Sequence, residues 1–195
     1  MNLRGNVAEI GRRLARRRGP VFLVGHSGGG ATVTAAGQRY AHRVTGAVYV
    51  AGMMLPSGVG FAQLCGEVTS SIDGVVPHLR RTRDRLGTTV PREAGAALFF
   101  QRAGADDAIA ASRRLSPQLD SGLALVPRWT ADKFGRIPRL YIEARHDRAV
   151  PLTLQRHMQR RSPGASVVTL ASDHCPQLSA TDRLTDSLVD FMLAQ

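Results

Sequence analysis

The chain has 195 residues, 43% of them hydrophobic and 21% charged, so it is long enough to bury one core and too apolar to be disordered. It carries 26 basic against 15 acidic side chains, a net charge of +11, and every basic residue except Lys133 is arginine. No apolar run approaches the ~18 residues of a membrane span. Two cysteines, Cys65 and Cys175, are too few for a disulfide framework and fit a reducing cytoplasm. Neither His-Glu-x-x-His nor a zinc-ligand spacing occurs, so no metal and no other cofactor is expected.

In chain order, Val7, Ile10 and Leu14 recur at helical spacing, and Gly19-Pro20 ends that helix. Arginines then precede Val21-Phe22-Leu23-Val24, an apolar run too short for the core of a secretion signal. The run reads as a strand buried on both faces. It leads into Gly25-His26-Ser27-Gly28-Gly29, a G-x-S-x-G pattern, and Ala31, Val33, Ala35 and Ala36 open a helix behind it. Strand, pattern and helix together describe a serine on a sharp turn with its hydroxyl pushed into the open. Gly25 and Gly30 also have phosphate-loop spacing, but Ala31 stands where that loop needs lysine. A further strand is expected over residues 47–51. Residues 57–134 are too long for a simple crossover, and they contain helical pieces and Trp129, the one tryptophan. A strand over 140–144 precedes Asp147, Pro151 opens a helix, and a strand over 166–170 precedes His174. Ser179-Ala180-Thr181-Asp182 reads as a capping box for a last helix with Leu184, Leu188 and Phe191 on one face.

A serine hydroxyl attacks only when a base takes its proton, and the base needs an orienting acid. Open α/β sheets place their chemistry just beyond strand ends, and the order serine, acid, histidine suits this topology. Ser27, Asp147 and His174 satisfy both conditions. Asp173 competes for the acid role but, as the neighbour of His174, it reaches the far ring nitrogen poorly. His146 competes for the base role but follows the wrong strand. The arginine clusters, Arg12, Arg13, Arg16, Arg17, Arg18 and Arg80, Arg81, Arg83, Arg85, lie in helical-looking segments and read as solvated faces. Without aromatic residues among them they offer no stacking platform, so no specific nucleic-acid partner is expected, only non-specific adhesion to polyanions.

Five segments resemble the α/β-hydrolase fold, and within it the methylesterase and hydroxynitrile lyase family. They are Gly25-His26-Ser27-Gly28-Gly29-Gly30, residues 48–56, residues 134–143, Asp147-Arg148-Ala149-Val150-Pro151, and Asp173-His174. The resemblance implies Ser27 as nucleophile, Asp147 as acid, His174 as base and the amide of Gly28 as an oxyanion-hole donor. His26 and Trp129 are the candidates for touching substrate. It also implies a partial fold: a parallel sheet of about four strands with flanking helices, its core in residues 1–56 and 135–195, and a helical cap over 57–134. The first half of the family sheet, with the second oxyanion donor, is expected to be missing through N-terminal truncation, an upstream segment of the natural gene being absent from this sequence; pairing of the open edge with another chain, or poor folding, are the alternatives. The lyases of this family carry lysine directly after the catalytic histidine, and Cys175 holds that place here. A small methyl or aryl ester is therefore the expected substrate. Lyase chemistry and a catalytically inactive protein that recruits a partner through the open edge are the alternatives.

Overall fold

A computed structural model describes residues 2–68, 74–120 and 124–195. The first helix, α1 (Leu3–Ala15), is capped by the Asn2 side chain, which accepts from Gly5 N–H at 2.9 Å. Then come β1 (Phe22–His26), α2 (Gly29–Arg39), β2 (Gly46–Val50) and α3 (Phe61–Glu67). A small antiparallel sheet follows, β3 (Arg80–Arg81), β4 (Gly87–Thr89) and β5 (Gln118–Leu119), with α4 (Arg92–Phe99) and α5 (Ala105–Arg113) between its last two strands. The chain closes with β6 (Arg139–Ala144), α6 (Leu152–Arg161), β7 (Ala165–Leu170), the short α7 (Pro176–Ser179) and α8 (Thr181–Leu193).

The main sheet is parallel throughout, in the order β1-β2-β6-β7. Every residue of β2 and β6 is buried, and successive side chains serve opposite faces, as the two-residue strand period requires. Tyr49 and Tyr141 point to one face and pack with Val33 of α2, Phe134 and Ile137. Glu143 shares that face with Tyr141 and binds Arg156 and Gln159 of α6, so α2 and α6 form one layer. Val48, Val50, Leu140 and Ile142 point the other way, against Leu184, Leu188 and Phe191 of α8. The result is helices on both faces of a parallel sheet, with β1 at one edge and Val24 47% exposed there.

Three sequence expectations change. The insertion is not purely helical, because β3, β4 and β5 form a sheet within it. Arg80 and Arg81 form strand β3 rather than a helix, and Arg85 sits in the turn behind it at φ 58°. Ser179 does not cap the last helix: α8 starts at Thr181 with Ala180 in the capping position, and the Ser179 hydroxyl bonds Asp173 Oδ1 at 2.7 Å instead. The O–H of Ser179 makes a charge-assisted bond to a buried carboxylate within its reach, and that bond holds it in the turn before α8.

Candidate active site

The parallel register aligns the strand ends: His26 opposes Val50, Val50 opposes Ile142, and Ala144 opposes Leu170. Ser27 follows β1 directly, Asp147 lies three residues beyond β6, and His174 lies four beyond β7, so all three leave the sheet at one rim. Ser27 sits at φ 51°, the left-handed region, which costs a residue with a Cβ roughly 1–2 kcal/mol. Three backbone bonds hold it there: Ser27 N–H to Val50 O at 3.1 Å, and the N–H groups of Met53 and Gly30 to Ser27 O at 2.8 and 3.1 Å. The chain then doubles back so tightly that a Cβ on Gly25 would lie 2.7 Å from Val33 Cγ2 and 2.8 Å from the Gly29 backbone. Gly29 itself faces open space. Gly25→Ala is therefore expected to cost more than ~2 kcal/mol in urea unfolding, and Gly29→Ala to be neutral or stabilising by up to ~1 kcal/mol.

Asp147 is buried and fully engaged. Its Oδ1 accepts from the N–H groups of Ala149 at 2.7 Å and Val150 at 2.8 Å, and its Oδ2 accepts from His174 Nδ1 at 2.7 Å. A carboxylate accepts only, so in the neutral imidazole Nδ1 of His174 carries the proton and Nε2 the lone pair. Gln155, with no exposed surface, braces this loop. Its amide bonds both N–H and C=O of Ala144, at 3.0 and 3.1 Å, Val150 O at 2.8 Å, and Asp147 Oδ2 at 3.4 Å. Sequence reading missed Gln155, because a glutamine inside an amphipathic helix carries no signal until the helix is docked.

Strands lie about 4.8 Å apart, so the loop after β7 must cross two neighbours to meet β1. It does so: His26 Nε2–H donates to His174 O at 2.7 Å, and the two imidazole centroids lie 4.7 Å apart. His26 thus ties the serine turn to the His174 loop, and its Nε2 is not free to meet a substrate. Burial, and then the neighbouring His174 ring, push the His26 pKa down to about 4. The folded protein therefore holds fewer protons than the unfolded chain between that value and the ordinary pKa near 6.5. Stability from this group is complete above pH ~6.5 and is lost as pH falls toward 4, by on the order of a few kcal/mol. In His26→Asn the urea midpoint is expected to fall less between pH 7 and pH 4.5 than in the parent; an equal fall would exclude His26 as the titrating group.

The hydroxyl of Ser27 and Nε2 of His174 make no hydrogen bond among the described residues, and such bonds commonly close only when substrate is bound. Gly28 immediately precedes α2, so its N–H is one of the helix-start donors that lack a partner within the helix. Trp129 makes no ring contact with His174 among the described residues. Its indole N–H donates to Leu55 O at 3.1 Å, and its ring packs on Phe134 and under the Arg139 guanidinium. Asp173 is buried but binds Arg102 N–H, Cys175 N–H and the Ser179 hydroxyl, and His146 holds its backbone against Ser172. Cys175 is free, and burial, then Asp173, push its thiol up to about 12, so it stays protonated beside His174.

A parallel sheet with helices on both faces, a serine turn in the left-handed region, and a carboxylate-bound histidine on the last strand's loop define the α/β-hydrolase class. The chain belongs to the alpha/beta hydrolase family, whose model matches residues 3–186. It is 31% identical to a pyrethroid hydrolase of Sphingobium wenxiniae over 95% of this chain and 67% of that protein. It is 28% identical to methyl jasmonate esterase 1 of Vitis vinifera over 82% of this chain and 65% of that protein. The crystal structure of a pyrethroid hydrolase from Sphingobium faniae superposes with a TM-score of 0.87 at 25% identity, covering 98% of this chain and 78% of that one. The chain thus spans about two thirds of the length of these curated relatives.

Proposed function

We propose that the protein hydrolyses a small carboxylic ester, methyl or aryl, through an acyl-enzyme. Ser27 Oγ attacks the carbonyl carbon while His174 Nε2 takes its proton, and the Gly28 N–H donates to the oxyanion. The imidazolium then protonates the departing alkoxide, leaving an ester on Ser27. Water, deprotonated by the same imidazole, attacks that ester and releases the acid and the serine. Asp147 keeps the proton on Nδ1 throughout and stabilises the imidazolium.

The observation that carries this reading is the pair of 2.7 Å bonds at His174, Nδ1 to Asp147 and backbone O to His26, which hold the imidazole beside the residue next to Ser27. The esterase and hydrolase names of the relatives support it. Treatment with a fluorophosphonate and peptide mapping by mass spectrometry tests the assignment. The adduct is expected on Ser27; an adduct on another residue, or none, rejects the mechanism. The open edge of β1, with Val24 exposed, supports a second reading in which this edge pairs with another strand. Concentration-dependent size exclusion is then expected, and Val24→Lys is expected to abolish it.

A further inference from the structure

The His174 loop is gripped from a second side. Asp173, with no exposed surface, divides its carboxylate between two tasks. Oδ1 accepts from Cys175 N–H at 3.0 Å and Ser179 Oγ at 2.7 Å, which closes the turn into α7. Oδ2 accepts from Arg102 N–H at 2.8 Å, in the segment just beyond α4, 71 residues away in the chain. The last turn of α4 and that segment make three more contacts with the same rim. Gln101 Nε2 donates to His146 O at 2.6 Å, Arg148 Nη1 donates to Ala97 O at 3.3 Å, and the Phe99 ring lies 5.4 Å from the His174 ring. A helix turn alone would need only Oδ1. The second oxygen joins the insertion to the base loop at the residue next to the base.

We propose that Asp173 is a positioning residue for His174: its carboxylate locks residues 97–102 onto the acid and base loops, so that the Phe99 ring holds the imidazole in place. Burying a carboxylate is unfavourable unless several donors meet it, and those donors are then fixed in turn. With Nδ1 on Asp147 and the rings of His26 and Phe99 against it, the imidazole keeps one free nitrogen, Nε2. The catalytic part of this inference rests on the ester-hydrolase reading; the geometric part does not.

The test uses Asp173→Asn, Phe99→Ala and the double variant, with two readouts. The first is p-nitrophenyl acetate turnover per fluorophosphonate-titrated site, which counts only folded, competent molecules. Each single variant is expected to lose about 10- to 100-fold in kcat with KM little changed, because a small misplacement of a reacting group is enough. The double variant is expected to be no worse than the worse single one, since both act through one contact. A loss confined to the titrated fraction, or a double loss equal to the product of the two, overturns the proposal. The second readout is solvent exchange of the His174 Nδ1 proton by NMR, expected to quicken roughly tenfold in each single variant. Unchanged exchange overturns the proposal whether or not the parent cleaves esters, whereas failure of the parent to take the label counts against the ester reading alone. Phe99 is only partly buried, so Phe99→Ala carries the test if Asp173→Asn does not fold, and parent-like exchange and turnover in it overturn the proposal.

Discussion

Ser27→Ala is expected to lower p-nitrophenyl acetate turnover by roughly 10^4- to 10^6-fold, the range seen when a nucleophile is removed from a cooperating set. The fold should not notice. The hydroxyl makes no hydrogen bond among the described residues, and alanine carries the same Cβ into the left-handed region, so the change in unfolding free energy is expected to stay within ~1 kcal/mol. Ser27→Gly separates the two effects further. Glycine adopts φ 51° without strain, so this variant is expected to be more stable than the parent by about 1 kcal/mol and equally inactive. Thermal denaturation and the ester assay on both variants check this. Activity within tenfold of the parent in either variant would reject the serine mechanism.

Asp147→Asn is expected to lose about 10^4-fold in kcat with little change in KM. The amide oxygen can keep the Oδ1 position, where it still accepts from Ala149 and Val150. The amide nitrogen then takes the Oδ2 position and faces two donors, His174 Nδ1 and Gln155 Nε2. Imidazole can answer only by moving its proton to Nε2, which removes the lone pair that should accept from Ser27. Raising the pH does not restore that lone pair, so kcat/KM is expected to stay low from pH 7 to 9. Recovery at high pH would show that Asp147 acts only by its charge. Asp147→Ala is expected to damage the fold as well. It leaves the Ala149 and Val150 amides without their acceptor, a loss of about 3–5 kcal/mol measurable by urea unfolding.

Local pattern carried a great deal of this molecule. The four strands of the main sheet are short apolar runs with turn residues on both sides, and a run of that kind is legible without knowing its neighbours. The serine turn is legible because its glycines answer to contacts within a few residues: Gly25 is needed by Gly29 and Val33, all inside one strand-turn-helix unit. The motif also misleads in detail. Gly29, inside the pattern, meets nothing, whereas a Cβ on Gly30, just outside it, would lie 2.8 Å from Met53 N. Ser179 misleads for a related reason. Its capping pattern is local, but its hydroxyl answers to a carboxylate six residues earlier that becomes available only when the loop after β7 is folded.

Sequence alone determined the strands and helices of the main parallel sheet and the residue types placed beyond each strand, though not the small sheet β3-β4-β5 of the insertion, because periodicity and turn chemistry act over a handful of residues. Tertiary structure alone decided what those residues meet. It put Trp129 into the packing around Phe134 and Arg139, turned His26 onto the backbone of His174, and brought Gln155 and Asp173 to the two loops of the rim. These contacts join residues separated by up to 148 positions. Their geometry follows from strand order and loop reach, which no window of neighbouring residues contains.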